Sequence, residues 1–302
     1  MRYRRLGSTA FTVSEIGFGA ASWWGMAQFS EASAVRLVHA ALDGGVTLFD
    51  TGSSYSRGHA EARLGRALKG RDLAGLVVAS KAGTFAAGRG VRRDFSPAAI
   101  VASAERSLLN LGLETLPLLQ LHGPATHELT HELRAALADL KARGVIRAIG
   151  VNSFDPQVIG HAIGLPDIDV VMVDYNILRR DREPLIASAA TAGKGVLAGM
   201  PLAMGHIGVR LWKLRAPRDV WYAARGLLRH RREVREGARF EFLNHLPDMT
   251  GAQAALAYVL ANPNVASAVV GATRLAHLSQ NLAASGMGLP PETLAAIRAR
   301  QA

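Results

Sequence analysis

Residues 116–150 read LPLLQLHGPATHELTHELRAALADLKARGVIRAIG. The run Leu116–Leu121 is short and apolar, the pattern of a buried strand. In Glu128–Arg143, Leu129, Leu133, Leu137 and Leu140 recur three or four residues apart, so they share one helix face. Gly144 marks the helix stop, and Ile146–Gly150 begins a second apolar run. A buried strand, an amphipathic helix and another buried strand make a parallel crossover. This stretch therefore predicts an α/β fold built on a parallel sheet.

The same unit recurs in both directions. Toward the N-terminus, strands are predicted at Ile16–Ala20, Val46–Phe49 and Leu76–Ser80; toward the C-terminus, at Val170–Val173, Gly195–Ala198 and Ala266–Val270. Helical periodicity fills the gaps, as in Glu31–Gly44 (Ala34, Leu37, Val38, Ala41, Leu42) and Ala98–Leu111 (Val101, Ala104, Leu108, Leu111). Periodicity alone also allows an open sheet, but about eight such units favour closure into a (β/α)8 TIM barrel. Tyr3–Leu6 and Thr12–Glu15 flank Gly7-Ser8 and read as an opening β-hairpin.

The chain has 302 residues, more than the roughly 250 of a typical barrel but within its range. No short repeat or Pro-rich linker divides it, so residues 1–302 are expected to form a single domain. One stretch breaks the rhythm: residues 201–247, from Pro201 to Pro247, are too long for an ordinary βα loop. They are predicted to form an insertion after strand seven, with a helix around Ala216–Glu236 over the barrel mouth. Trp212, Trp221, Tyr222, Phe240 and Phe242 lie there among many arginines.

Composition narrows the chemistry. There are no cysteines, which excludes disulfides, thiolate catalysis and cysteine metal sites. A cytoplasmic location is expected: no apolar segment follows the basic start Met1–Gly7, so no secretory signal is read. No run approaches the ~18 apolar residues of a membrane span. Lys and Arg outnumber Asp and Glu by 35 to 24. Such an excess suits nucleic acid, an anionic surface or an acidic ligand. It also occurs in arginine-rich proteins without those roles, and a nucleic-acid partner is not expected.

Active sites of (β/α)8 barrels lie at the C-terminal ends of the strands. Asp50 ends the second strand in Leu48-Phe49-Asp50, and Tyr55 follows in Gly52-Ser53-Ser54-Tyr55. Lys81 ends the third strand and His122 the fourth. Each follows an apolar run, where charged groups need partners, and adjacent strands would supply them. Any one of the four has an ordinary explanation, as an ion pair, a satisfied histidine or a packing tyrosine. All four at successive strand ends point to catalysis.

The motifs Asp-Thr-Gly-Ser-Ser-Tyr at 50–55, Ser80-Lys81, Leu121-His122-Gly123-Pro124 and Gly150-Val151-Asn152-Ser153-Phe154 resemble those of the aldo-keto reductase superfamily along essentially the whole chain. The resemblance implies metal-free reduction of an aldehyde or ketone by a nicotinamide dinucleotide, NADP(H) in preference to NAD(H). It implies Tyr55 as proton donor, Lys81 lowering the phenol's pKa, Asp50 holding Lys81 charged, and His122 bonding the substrate oxygen. It places the cofactor on Asn152, Ser153, Met172, Gly199, Gly271, Ala272, Thr273, Arg274, His277, Gln280 and Asn281. Three positions depart from the family pattern. Asn152-Ser153 inverts the usual Ser-Asn, Met172 replaces a glutamine, and Gly199 replaces an aromatic that stacks on nicotinamide. His277 stands where a phosphate-reading arginine is common, leaving Arg274 as the expected reader of a 2′-phosphate. The small-molecule carbonyl is expected against Trp23, Trp24, Phe85, Trp212 and Trp221, with Trp23 or Trp24 also able to supply the missing stacking surface.

Other motifs carry less. Gly17-Phe18-Gly19-Ala20-Ala21-Ser22 is an incomplete dinucleotide fingerprint. His127-Glu128-Leu129-Thr130-His131 matches a short zinc-peptidase pattern without an obvious third ligand, and no metal is expected. Two alternatives use the same fold: a redox-independent lyase or isomerase working through Tyr55 and Lys81, motivated by Met172 and Gly199, and a non-catalytic regulatory protein. The sequence leaves the oligomeric state open.

Overall fold

The computed structural model describes residues 1–88, 90–203 and 231–301, the side chains of Arg231 and Arg232 excepted. Eight parallel strands close into a barrel: β3 (Ile16–Gly19), β4 (Leu48–Asp50), β5 (Val77–Ala82), β8 (Leu116–His122), β9 (Ile146–Asn152), β10 (Val170–Asp174), β11 (Gly195–Gly199) and β12 (Ser267–Val270). The ring closes where β12 pairs with β3, Val269 opposite Gly17. All eight lie where the sequence predicts them, with ends shifted by one or two residues. The fold is the (β/α)8 TIM barrel.

The strands alternate between two cores. Leu48, Val77, Ala79, Leu118, Ala148, Val170, Met172 and Leu197 pack together inside the barrel. Their neighbours Phe49, Val78, Leu119, Ile149, Val171 and Ala198 join the outer core with the helices. The opening hairpin, β1 (Tyr3–Arg5) with β2 (Thr12–Ser14), belongs to the inner core: Leu6, Phe11 and Val13 pack with the inward strand residues. Its tip is tied to the strand β11 start by Ser8 N donating to Gly193 O at 2.8 Å, so it plugs the end opposite the strand C-termini.

Helices α1 (Glu31–Asp43), α2 (Ala60–Leu68), α3 (Pro97–Leu111), α4 (His131–Ala142), α5 (Pro156–Ile163) and α6 (Glu183–Thr191) follow successive strands. Ser30, Ser96, Thr130 and Asp155 cap α1, α3, α4 and α5 by accepting backbone N–H bonds. The Thr130 cap separates His127, in a 3-10 turn over Thr126–Glu128, from His131 at the start of α4. The two histidines therefore lack the continuous helical register that a zinc-peptidase motif requires.

Most of the expected insertion, including Trp212 and Trp221, lies outside the described residues. Its described end contains α7 (Arg231–Ala238), overlapping the helix expected around Ala216–Glu236, and a 3-10 turn at Glu241–His245. Phe240 and Leu243 are buried in the outer core. The chain finishes with α8 (Gly251–Leu260), α9 (Leu275–Ala283) and α10 (Pro291–Gln301). An unforeseen element is an antiparallel hairpin, β6 (Thr84–Ala87) with β7 (Gly90–Arg93), rising directly from the end of β5.

Candidate active site

Strand periodicity assembles the site. On β4, Leu48 points inward, and so does Asp50 two residues later. On β5, Val77, Ala79 and then Lys81 alternate in the same way. Lys81 Nζ donates to Asp50 Oδ2 and, at 2.9 Å, to Thr51 O. Gln120, two residues before His122 on β8, donates from Nε2 to Asp50 Oδ1 at 2.9 Å. Asp50, Lys81 and Gln120 are buried. A buried ion pair is sustained only when its remaining hydrogen-bonding capacity is met, and here Thr51 and Gln120 meet much of it. The sequence reading missed Gln120, although its place two residues from His122 on one strand was the available signal.

Tyr55 lies over this pair. Lys81 Nζ sits 4.8 Å from the phenol ring centroid. The His122 ring stands edge-on to Tyr55, centroids 5.4 Å apart and planes at 88°. All four expected catalytic residues therefore meet, Tyr55 and His122 being partly exposed and Asp50 and Lys81 enclosed.

Two glycines make the close packing feasible. A Cβ on Gly52 would stand 3.3 Å from Lys81 Cβ and 3.5 Å from Tyr55 Cδ2. Gly83, at φ +89°, turns the chain out of β5 against the Phe95 ring, which would lie 2.1 Å from a Cβ there. Immediately after Tyr55, Ser56 and Arg57 hold φ values of 53° and 61°. Two successive non-glycine residues in the left-handed region indicate stored strain. Ser56 is held by its hydroxyl donating to Ser22 O at 2.7 Å.

The electrostatics differ from the sequence expectation at Tyr55. Burial raises the phenol pKa above its ordinary value, opposed by Lys81 and reinforced by Asp50. The net direction is upward, so Lys81 tempers the rise and does not reverse it. Burial favours loss of the Lys81 proton, but attraction to Asp50 and Tyr55 outweighs it and raises the Lys81 pKa. His122 is driven down to about 4, by burial first and then by Lys81 and Arg93. At neutral pH the cluster thus holds a protonated phenol, an ammonium and a neutral imidazole.

The family model for aldo/keto reductases matches residues 15–301. The chain belongs to the aldo/keto reductase family. Its 302 residues resemble the uncharacterized oxidoreductase YqkF of Bacillus subtilis, with 29% identity over 99% of this chain and 96% of that protein. L-galactose dehydrogenase of Arabidopsis thaliana is 27% identical over 98% of this chain and 93% of its own length. Among solved structures, the holo form of aldo-keto reductase AKR11C1 from Bacillus halodurans superposes with a TM-score of 0.83 and 28% identity, covering 100% of this chain and 97% of that one. The aldo/keto reductases are oxidoreductases that use nicotinamide cofactors and act on small carbonyl compounds.

The residues around the mouth fit such a cofactor. Asn152, the next inward residue after Gly150 on β9, is buried, and its side-chain amide has no hydrogen-bond partner among the described residues. That amide is free to donate to and accept from a carboxamide. Ser153 Oγ already accepts from Asp155 N at 3.2 Å, leaving its proton to donate. Met172 and Gly199 are next to one another: a Cβ on Gly199 would lie 3.2 Å from Met172 Cε and 3.5 Å from Phe154 Cε1. The two departures are thus one local repacking, in which Met172 and Phe154 approach the position vacated by the aromatic.

At the other end, Gly271, Ala272 and Thr273 lead from β12 to α9, whose N-cap Arg274 makes no side-chain cap bond. Exposed Arg274 and His277 flank these first-turn amides, which suits an anion. Gln280 is exposed and Asn281 buried on the same helix.

The expected substrate residues separate. Trp24 is only 1% exposed and lies edge-on to Phe18, centroids 5.9 Å apart. It is a core residue, which corrects its expected contact with substrate or cofactor. Trp23 is partly exposed on the same turn. Phe85 is partly exposed on β6 beneath Arg92, whose guanidinium lies 5.2 Å from the ring centroid. Among the described residues no helix is long and apolar enough to cross a membrane.

Proposed function

We propose that the protein is a cytoplasmic, NADPH-dependent reductase that converts an aldehyde or ketone to the alcohol. The observation that carries this reading is the buried Asp50–Lys81 pair beneath Tyr55, beside neutral His122, at adjacent strand ends. Bound NADPH would supply hydride to the carbonyl carbon, held by Asn152 and Ser153 at one end and by Gly271–Thr273 and Arg274 at the other. Tyr55 donates its phenolic proton to the developing alkoxide, a much stronger base than phenolate. The raised Tyr55 pKa keeps that proton in place beforehand. Lys81 then steadies the phenolate, and Asp50 keeps Lys81 oriented. His122, being neutral, can donate from one ring nitrogen to the carbonyl oxygen without bringing a second cation beside Lys81.

The redox-independent alternative drew on Met172 and Gly199 alone. The unpartnered Asn152 amide and the uncapped start of α9 favour a dinucleotide instead. The test is NADPH consumption by the purified protein with a panel of aldehydes, ketones and aldoses. The reading expects carbonyl-dependent oxidation of NADPH. Substrate conversion without any nicotinamide would replace it with proton-transfer chemistry.

A further inference from the structure

Thr84 opens β6 one residue after the Gly83 turn, and its side chain is buried. Its Oγ1 lies 2.6 Å from His122 Nδ1 and 3.1 Å from Ser54 Oγ. Its backbone is fixed independently: Ser53 Oγ donates to Thr84 O at 2.8 Å, and Thr84 pairs with Arg93 in the hairpin. The other ring nitrogen of His122, Nε2, has no hydrogen-bond partner among the described residues. One nitrogen is therefore committed to a hydroxyl chain and the other is left for a ligand.

A neutral imidazole carries a single ring proton, and the bond made by one nitrogen sets which nitrogen holds it. A threonine hydroxyl can donate or accept, so the contact is compatible with either tautomer. Only one suits a carbonyl oxygen. With the proton on Nδ1, an Nε2 lone pair would face the oxygen's own lone pairs. With the proton on Nε2, the ring donates to that oxygen, and Nδ1 must then accept from Thr84.

We propose that Thr84 is a positioning residue, whose hydroxyl accepts from Ser54, donates to His122 Nδ1 and thereby holds the His122 proton on Nε2, toward the substrate oxygen. This rests on the reductase reading. Thr84 touches neither substrate nor cofactor in this role; it acts through the imidazole.

The test reads the tautomer directly in the free full-length protein, by nitrogen NMR of the histidine side chains, with the His122 signals assigned by their loss in His122→Asn. Wild type should show the Nε2–H form at neutral pH. Thr84→Val, nearly isosteric but without the hydroxyl, should shift His122 toward a tautomer mixture. It should lower kcat by about 10-fold and raise KM for the carbonyl, the scale of one lost hydrogen bond, while NADPH affinity holds. Thr84→Ser should restore both spectrum and rate. An Nδ1–H imidazole in wild type overturns the proposal even if Thr84→Val does not fold. So does a Thr84→Val protein with the wild-type tautomer and wild-type kinetics. Failure to oxidise NADPH with any carbonyl would instead strike the reductase reading, because the tautomer is measured without turnover.

Discussion

Ser80 and Lys81 are adjacent on β5 and point to opposite sides of the barrel wall, and each meets a buried carboxylate. Inside, Lys81 pairs with Asp50 under Tyr55 and His122. Outside, Glu61 of α2 accepts from Ser80 Oγ at 2.5 Å, Ser107 Oγ at 2.6 Å and Asn110 Nδ2 at 2.9 Å. Glu61 lies in the first turn of its helix, where the helix dipole favours an anion. It has no ion-pair partner among the described residues. Both carboxylates are satisfied, but by different means. Asp50 is held by a cation whose charge reaches a partly exposed phenol. Glu61 is held by neutral donors in a closed joint between α2, β5 and α3. A buried charge becomes chemistry where its partner has a second, accessible neighbour; otherwise it fastens the fold.

The largest effect that separates the clusters should come from Tyr55→Phe. It removes one hydroxyl above the inner cluster and should lower kcat by about 10²–10⁴-fold, the usual worth of general acid catalysis, with melting temperature and NADPH affinity nearly unchanged. Steady-state kinetics with fluorescence titration of NADPH checks all three. Near-wild-type kcat would remove Tyr55 as proton donor.

The outer cluster should respond in the opposite sense. Glu61→Ala leaves Ser80, Ser107 and Asn110 without their acceptor and should cost roughly 3 kcal/mol or more. Turnover per folded molecule should stay near that of wild type. Urea unfolding together with activity below the transition distinguishes the two. A large fall in kcat at full folding would mean that the two faces of β5 are coupled.

A third prediction uses pH. The folded His122 pKa of about 4 lies below the ordinary value near 6.5. The unfolded chain therefore takes up this proton first as pH falls. The stability difference is absent above the unfolded pKa, grows as pH falls, and is complete below about 4. It should be at most about 3 kcal/mol, and less where water screens the partly exposed ring. His122→Asn should flatten this part of the acid-stability curve. Curves that stay parallel down to acid pH would show that the ring is not held neutral.

The smallest effect concerns a charge outside both clusters. Exposed Arg274 should read the 2′-phosphate, so Arg274→Ala should weaken NADPH by about 10-fold with little effect on NADH. Equal losses for the two cofactors would make it a surface residue.

The framework of these comparisons was readable from the sequence because it depends on local periodicity. The apolar runs place all eight strands, and the alternation within them puts Asp50, Lys81, His122 and Asn152 on the inward face. What was not readable depends on contacts across the chain. Gln120 looked like one polar residue in an apolar strand until β8 was set beside β4. Thr84 was hidden because a short hairpin with arginines on one arm resembles an exposed loop. Trp24 was expected near a ligand because an aromatic after strand one can face either way; its packing on Phe18 is tertiary. The net rise of the Tyr55 pKa was not readable for the same reason: the sequence shows Lys81, which does lower it, but not the burial that outweighs Lys81. Residues 204–230 lie outside the described structure, and the expected contacts of Trp212 and Trp221 remain proposals.

The central claim is that the inner cluster protonates an oxygen while hydride from NADPH reaches the adjacent carbon. Its most direct measurement is single turnover of an accepted aldehyde with NADPH deuterated on the transferred position of the nicotinamide, followed by mass spectrometry of the alcohol. The account predicts one deuterium on the former carbonyl carbon in wild type and severely slowed transfer in Tyr55→Phe. Product formed without cofactor, or an alcohol carrying no deuterium, would contradict it.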